Sequence, residues 1–318
     1  TLLDDTGKIL LREGAELNLT KINKIKSMNY GGLYINDELS EDIVLEDLIP
    51  FELKLRAFRA LDARDYEKCV DIAKEFVNEL YDKKSLAINI IDIKNINSYT
   101  INHSINVCVN SIILGIAAGM NRNDLEHLAV AAILADVGKF DISNEIWHKK
   151  GKLTDKEMEM VKQHPKIAFE NLKAHPCISP ISRNAILFSH ENLDGSGYYG
   201  KVGDEIRINA RIIHLMDSFD ALTSVRKHRQ AYSIKESTEL LMGSTNQYDK
   251  DLLRLMSQLF PIYPIGMTVN LSNGEKAIIR SNDHNVIRPI IRLMNTGELI
   301  DLSDNALYRN VVIQDIDR

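Results

Sequence analysis

The period of the apolar positions changes along this chain. Over residues 1–40 short apolar runs alternate with turns. Gly7–Gly14 (GKILLREG) and Gly31–Asp37 (GGLYIND) read as strands flanking a polar helix near Leu19–Met28. Such a small α+β module holds little core by itself. From Glu41 to about residue 95 the pattern is helical and charged, with Leu53, Phe58, Leu61, Val70, Ala73, Phe76, Val77 and Leu80 at broadly helical spacing. One or two linking helices account for it. A partner-binding or dimerisation helix, and with it a homodimer, fits the same pattern. Residues 96–260 are helical nearly throughout, with breaks at Gly138–Gly151, Pro176–Pro180 and Asp194–Gly203. After Pro261 alternation takes over. Asn273-Gly274 between two alternating runs is a hairpin signal, and RPIIRLM and ALYRNVVI continue as strands. The expected fold is mainly α: a helical domain over 96–260, a small N-terminal α+β module over 1–40, linking helices over 41–95 and a small C-terminal β module over 261–318.

Composition narrows the class. The 318 residues are 44% apolar and 26% charged, which excludes a wholly disordered chain. The net charge of −6 argues against an extended surface for a nucleic-acid polymer but leaves room for a small basic pocket. No run approaches ~20 uninterrupted apolar residues, so no membrane span is expected. No signal peptide is visible; the sequence begins at Thr1, which leaves room for native residues before it. Cys69, Cys108 and Cys177 are far apart and form no CxxC pair. Free thiols in a reducing, cytoplasmic compartment follow, buried as small hydrophobes.

Candidate chemistry lies where polar residues interrupt apolar stripes. Asp136 falls four residues beyond Ala132, on the stripe of Leu125, Leu128, Ala129 and Ile133. His164 sits among Met160, Val161, Ile167 and Ala168, and His190 follows Ile186 and Leu187. Asp217 is four beyond Ile213, and His103 shares a helix with Ile101, Ile105, Val107 and Ile112. A single such His is usually a satisfied core residue, and a single such Asp a cap or ion-pair partner. Several in one helical domain point elsewhere, because unpaired buried carboxylates are expensive. A divalent cation would satisfy them together, and imidazoles with carboxylates suit zinc, iron, manganese or nickel. Two other patterns carry less. Gly195–Gly200 (GSGYYG) matches a dinucleotide fingerprint but lacks the strand before it and the helix after it. Leu61–Lys68 (LDARDYEK) is a solvated helix face.

The segments Ala135–Thr154 (ADVGKFDISNEIWHKKGKLT), Val161–Leu172 (VKQHPKIAFENL), Ser189–Gly200 (SHENLDGSGYYG) and Ala210–Arg229 (ARIIHLMDSFDALTSVRKHR) together resemble, in order and spacing, the HD-GYP domain. Asn102–Ser111 (NHSINVCVNS) resembles its opening His helix. The resemblance covers about residues 96–245 and implies an HD-type helical bundle and a metal-dependent phosphodiesterase that hydrolyses the bacterial messenger cyclic di-GMP, often with iron or manganese. It makes His103, Asp136, His164, His190 and Asp217 metal ligands, Asp136 bridging. Lys139 becomes a catalytic and phosphate-binding lysine, Asp220 a structural carboxylate, and Arg226 and Arg229 contacts to the dinucleotide's phosphates and bases.

This chain also departs from the family pattern. Ala135 replaces the His of the name-giving His-Asp pair, Ser189 the first His of His-His-Glu, and Tyr99 a Glu one turn before His103. Tyr199 replaces the Pro of Gly-Tyr-Pro, and Lys149-Lys150-Gly151 stands for Lys-Pro-Gly. His148, His175 and His214 stand at no ligand position and are expected on the surface. Each metal position is thus at least one ligand short. The resemblance then implies a degenerate member, catalytically impaired and acting as a regulatory or nucleotide-binding module. The alternatives are an active phosphodiesterase with a rearranged metal site, and a protein-interaction scaffold that binds no cyclic di-GMP.

Overall fold

The computed structural model of the protein describes residues 2–3, 9–12, 14–27, 37–43, 48–83, 99–147, 149, 151–224, 231–282 and 285–316. Outside them lie nearly all of the strand expected over 31–37, the end of the linking segment over 84–98, and His148, Arg226 and Arg229.

Strands β1 (Leu2–Leu3) and β2 (Ile9–Leu11) pair antiparallel, and α1 (Leu19–Ser27) follows. Helices α2 (Phe51–Asp62) and α3 (Tyr66–Tyr81) bury the stripe that the periodicity predicts, Leu53, Phe58 and Leu61 on one and Val70, Ala73, Phe76, Val77 and Leu80 on the other. These side chains share a core with the helices that come next. Those are α4 (Tyr99–Ala117), α5 (Arg122–Leu134), α6 (Asn144–Trp147), α7 (Asp155–Val161), α8 (His164–Asn171), α9 (Pro180–Leu187), α10 (Ile208–Thr223), α11 (Ile234–Gly243) and α12 (Lys250–Leu259). Local chemistry sets where several begin. Asn121, Ser179 and Asp249 accept backbone N–H groups at the starts of α5, α9 and α12. Thr154 with Glu157, and Ser233 with Glu236, form reciprocal capping boxes on α7 and α11.

Helix α4 packs against α5 on one side and α10 on another. Among the described residues it alone is long and apolar enough to cross a bilayer, but 67% of that stretch is buried inside the protein. It is covered by helices, as a core helix is.

The C-terminal part is an antiparallel sheet of β3 (Thr268–Leu271), β4 (Lys276–Ser281), β5 (Ile290–Leu293), β6 (Leu299–Asp301) and β7 (Ile313–Ile316), in the order β6-β5-β4-β3-β7, with α13 (Asn305–Tyr308) before the last strand. The predicted hairpin joins β3 to β4, and Gly274 takes φ +86° in its turn. Alternation puts Val269, Leu271, Ala277, Ile279, Ile291 and Leu293 into one apolar core. Between those positions, Arg280 and Arg292 reach across to Asp42, Arg292 through two bonds of 2.6 and 2.9 Å. The protein is therefore mainly helical, with a small C-terminal β module.

Candidate metal centre

Helical periodicity accounts for two of the interior polar side chains. His103 lies on α4 and Asp217 on α10, and these helices pack together. The others are delivered by chain ends. Helix α5 stops at Leu134, so Asp136, expected on its stripe, sits just past its end and enters a 3-10 turn over Val137–Asp141. A Cβ on Gly138 would stand 2.0 Å from the carbonyl oxygen of His164. Only glycine lets this turn lie on the first turn of α8 and bring Asp136 beside His164, the helix's first residue. His190 lies in the turn after α9. Gly197 repeats the device, since a Cβ there would meet Glu191 Cα at 2.5 Å. The Gly-Tyr-Tyr loop therefore rests on the backbone of His190–Asn192. Buried Glu191 fastens it, accepting the backbone N–H groups of Tyr199 and Lys201 at 2.7 Å each.

Two groups of side chains have the geometry of ligand sets. Asp136, His164 and His190 form one, and His103, Asp136 and Asp217 the other, the ligand atoms of each lying within 4.8 Å of one another. Asp136 belongs to both. Partners behind the rings decide which nitrogens face inward. His103 gives Nδ1 to Asp220 at 2.6 Å and presents Nε2 to Asp217 at 2.8 Å and to Asp136 at 3.6 Å. Asp220 is itself held by Asn106 and Ser224. His164 gives Nδ1–H to the carbonyl of Val161 at 2.8 Å, so in the neutral ring Nε2 carries a lone pair. That lone pair is 3.0 Å from His190 Nε2 and 3.4 Å from Asp136 Oδ1. Oδ1 is buried and has no hydrogen-bond donor. Oxygen and nitrogen acceptors converging on an orphaned carboxylate oxygen fit a divalent cation, and two imidazoles with one carboxylate suit a transition metal.

The protonation states show how the groups balance with protons alone. Burial by itself would lower the His103 pKa, but Asp217 and Asp220 outweigh it and raise it to about 9. Burial would raise Asp136, but the Lys139 ammonium, and after it the His103 imidazolium, hold it well below the usual carboxylate range. Asp217 is likewise held low, chiefly by His103 against the effect of its own burial. Burial drives His190 down to about 3, which leaves its ring neutral. The Lys139 ammonium, mostly buried, bonds Asp136 Oδ2. An imidazolium and an ammonium thus occupy the neighbourhood where a cation's charge would act.

A pH prediction follows. The folded-state pKa of His103 is raised, so its stabilisation is complete below about 6.5 and is lost as pH rises through about 9. Chelator-treated protein should lose stability across that window, with a slope of at most about 1.4 kcal/mol per pH unit from this group. Denaturant midpoints between pH 6 and 10 measure it, and His103→Gln should flatten the curve. Divalent metal must displace the same proton, so binding should release acid below pH 9.

Ala135 is buried beside Asp136, and the Ser189 hydroxyl donates to the carbonyl of Ile186 at 2.9 Å within its own turn. Tyr99 is the first residue of α4. Tyr199 donates its hydroxyl to Lys162 O, while Tyr198 stacks on His190 at 4.8 Å. His214, expected on the surface, is largely enclosed: it stacks on Tyr248 at 4.8 Å and meets Asn192 Oδ1 at 2.8 Å. It lies one turn before Asp217, a spacing that would have marked its face as interior. His175 is partly covered, its ring edge on Tyr66. The sequence pattern gives Glu191 and Tyr198 no role of their own; the short Glu191-to-Tyr199 spacing across Gly195 and Gly197 is the available signal for the first.

The sequence profile of the HD domain matches residues 85–252. A cyclic di-GMP phosphodiesterase of Pseudomonas aeruginosa is 26% identical over 227 residues, covering 70% of this chain and 54% of that protein. The 3'3'-cGAMP-specific phosphodiesterase 3 of Vibrio cholerae is 35% identical over 153 residues, covering 48% of this chain and 33% of that protein. The chain spans about half the length, or less, of these curated relatives. Among solved structures, an HDG"Y"P protein from Bdellovibrio bacteriovorus superposes with a TM-score of 0.54 at 16% identity, over 69% of this chain and 74% of that one. That likeness is one of fold.

Proposed function

The chain belongs to the HD domain family, in its HD-GYP type, and from that premise we propose that it is a cyclic di-GMP-binding module whose phosphodiester hydrolysis is impaired. The carrying observation is the pair of replaced positions. Ala135 offers a methyl group, and Ser189 spends its hydroxyl on Ile186, so each ligand group stops at three protein ligands. The first group would hold one divalent cation through Asp136, His164 and His190, and the second another through His103, Asp136 and Asp217. Iron or manganese suits both sets. A bound cation would polarise a phosphate oxygen and lower the pKa of a bound water.

The chain's own residues do the rest. Lys139 would hold a phosphate oxygen as a point charge where Asp136 serves a divalent cation. With a cation held, His103 would release its Nε2 proton to solvent, and the Asp220 bond to Nδ1 would keep its ring in register. The Glu191-fastened loop presents Tyr198 against His190. Arg226 and Arg229, outside the described residues, would supply the phosphate and base contacts that the resemblance gives them.

A second reading, retained hydrolysis, is favoured by one observation: three protein ligands with open positions is what catalytic metal sites commonly keep. Calorimetric titration with cyclic di-GMP, with 3'3'-cGAMP as comparator, together with hydrolysis and metal analysis on one sample, separates the readings. Binding with turnover undetectable or far below an intact relative is expected. Robust chelator-sensitive turnover that disappears in Asp136→Ala would establish the second reading. Failure to bind either dinucleotide would leave a protein-interaction scaffold.

A further inference from the structure

Helix α2 ends in a left-handed residue that is not glycine. Arg64 takes φ +53°, the only positive φ outside glycine among the described residues. The surrounding bonds are those of a Schellman ending: Arg64 N–H donates to Leu61 O and Asp65 N–H to Ala60 O. Glycine adopts this position without the clash of a Cβ, and is the residue commonly found there. Asp65 then caps α3, so Arg64 is the corner between the two helices.

Its side chain leaves that corner for a segment far along the chain. One terminal nitrogen donates to Asp141 Oδ1 and the other to Phe140 O, each at 3.0 Å, and the guanidinium lies 5.4 Å from the centroid of the Phe140 ring. The second oxygen of Asp141 accepts from Asn171 Nδ2 at 2.8 Å. Asn171 ends α8, which His164 begins. Phe140 and Asp141 end the 3-10 turn that Asp136 enters. Gly138 presses the middle of that turn onto α8, and Arg64 with Asn171 closes its far end.

We infer that Arg64 is a positioning residue for the metal centre, holding the Asp136–Asp141 turn against α8 so that Asp136 and His164 keep their separation. This rests on the metal-site reading of the Asp136 groups. An ion pair at half-exposed side chains adds little to global stability, so the effect belongs to local opening of the turn.

Arg64→Gly tests it, because glycine suits the backbone and the variant should fold. Three readouts on the full chain are hydrogen exchange of the Val137–Ile142 amides in metal-free protein, Mn²⁺ affinity and the thermal midpoint. Expected are severalfold faster exchange confined to those amides, Mn²⁺ affinity weaker by about tenfold, and a thermal midpoint unchanged or higher. Asp141→Ala should reproduce the first two changes, and Arg64→Lys should partly restore them. Unchanged exchange and unchanged affinity in Arg64→Gly would overturn the inference, as would a lowered midpoint with exchange raised throughout the helices. A parent protein that takes up no Mn²⁺ would instead sink the metal-site reading, and exchange alone would then decide whether Arg64 holds the turn.

Discussion

Asp136→Ala is expected to abolish divalent-metal uptake and to destabilise the metal-free fold by about 3–5 kcal/mol. The double effect comes from the residue's double position. It is the one side chain common to both ligand groups, so its removal leaves each with two ligands. Losing an outer partner of a metal ligand commonly weakens affinity about 10–100-fold, and loss of a shared ligand should exceed that. Without metal, the same carboxylate faces the Lys139 ammonium and the His103 imidazolium, both mostly buried. Deleting it takes the bonded carboxylate from the Lys139 ammonium and one of three nearby carboxylates from His103, in a poorly solvated interior. Asp136→Asn separates the effects, since the amide keeps the volume but not the charge. Metal per chain after manganese loading and dialysis reads the first effect, and the urea midpoint of chelator-treated protein the second. Parental metal content in both variants would place the cation elsewhere. A midpoint unchanged by Asp136→Ala would mean that Lys139 finds solvent on its own.

The polar positions that converge were legible because each breaks an apolar period: His103 among Ile101, Ile105 and Ile112, Asp217 four past Ile213. The hairpin at Asn273-Gly274 was legible because its turn chemistry is local. Legibility ends where geometry depends on partners distant in sequence. The sequence marks a break at Gly138, but that this break brings Asp136 beside His164 follows from the close approach of Gly138 to His164 O. His214 read as a surface residue because its cover, Tyr248 and Asn192, comes from other elements. Arg64 read as part of a solvated charged face. Its backbone conformation follows from how α2 ends, and its target lies 77 residues on. The bond from Asp42 to Arg292 spans 250 residues and leaves no periodic trace. Local propensity and period find which residues are interior, and long-range packing decides what they face.

The comparison of replaced and retained positions makes restoration the sharper test of what this pocket is for. Ala135→His with Ser189→His is expected to raise metal affinity by at least about tenfold, since each change adds an imidazole beside ligands already oriented by Asp220 and by Val161 O. Each new ring adjoins a retained ligand in sequence, Ala135 before Asp136 and Ser189 before His190. Both sites are buried, so the added volume strains the metal-free protein by about 1–3 kcal/mol. At Ser189 the ring must also replace the hydroxyl bond to Ile186 and find room beside His214. Metal binding to the native state alone then appears as a larger rise in thermal midpoint on manganese loading than in the parent, even where the apo variant melts lower. Turnover should return less readily than metal. Tyr99 still stands where the family has a carboxylate, and the loop still ends in Tyr199. Metal per chain, melting with and without manganese, and cyclic di-GMP hydrolysis are measured on the same two proteins. Equal metal content in variant and parent would mean that the pocket has been rebuilt around the Lys139 and His103 charges, and that its missing ligands are no longer missed.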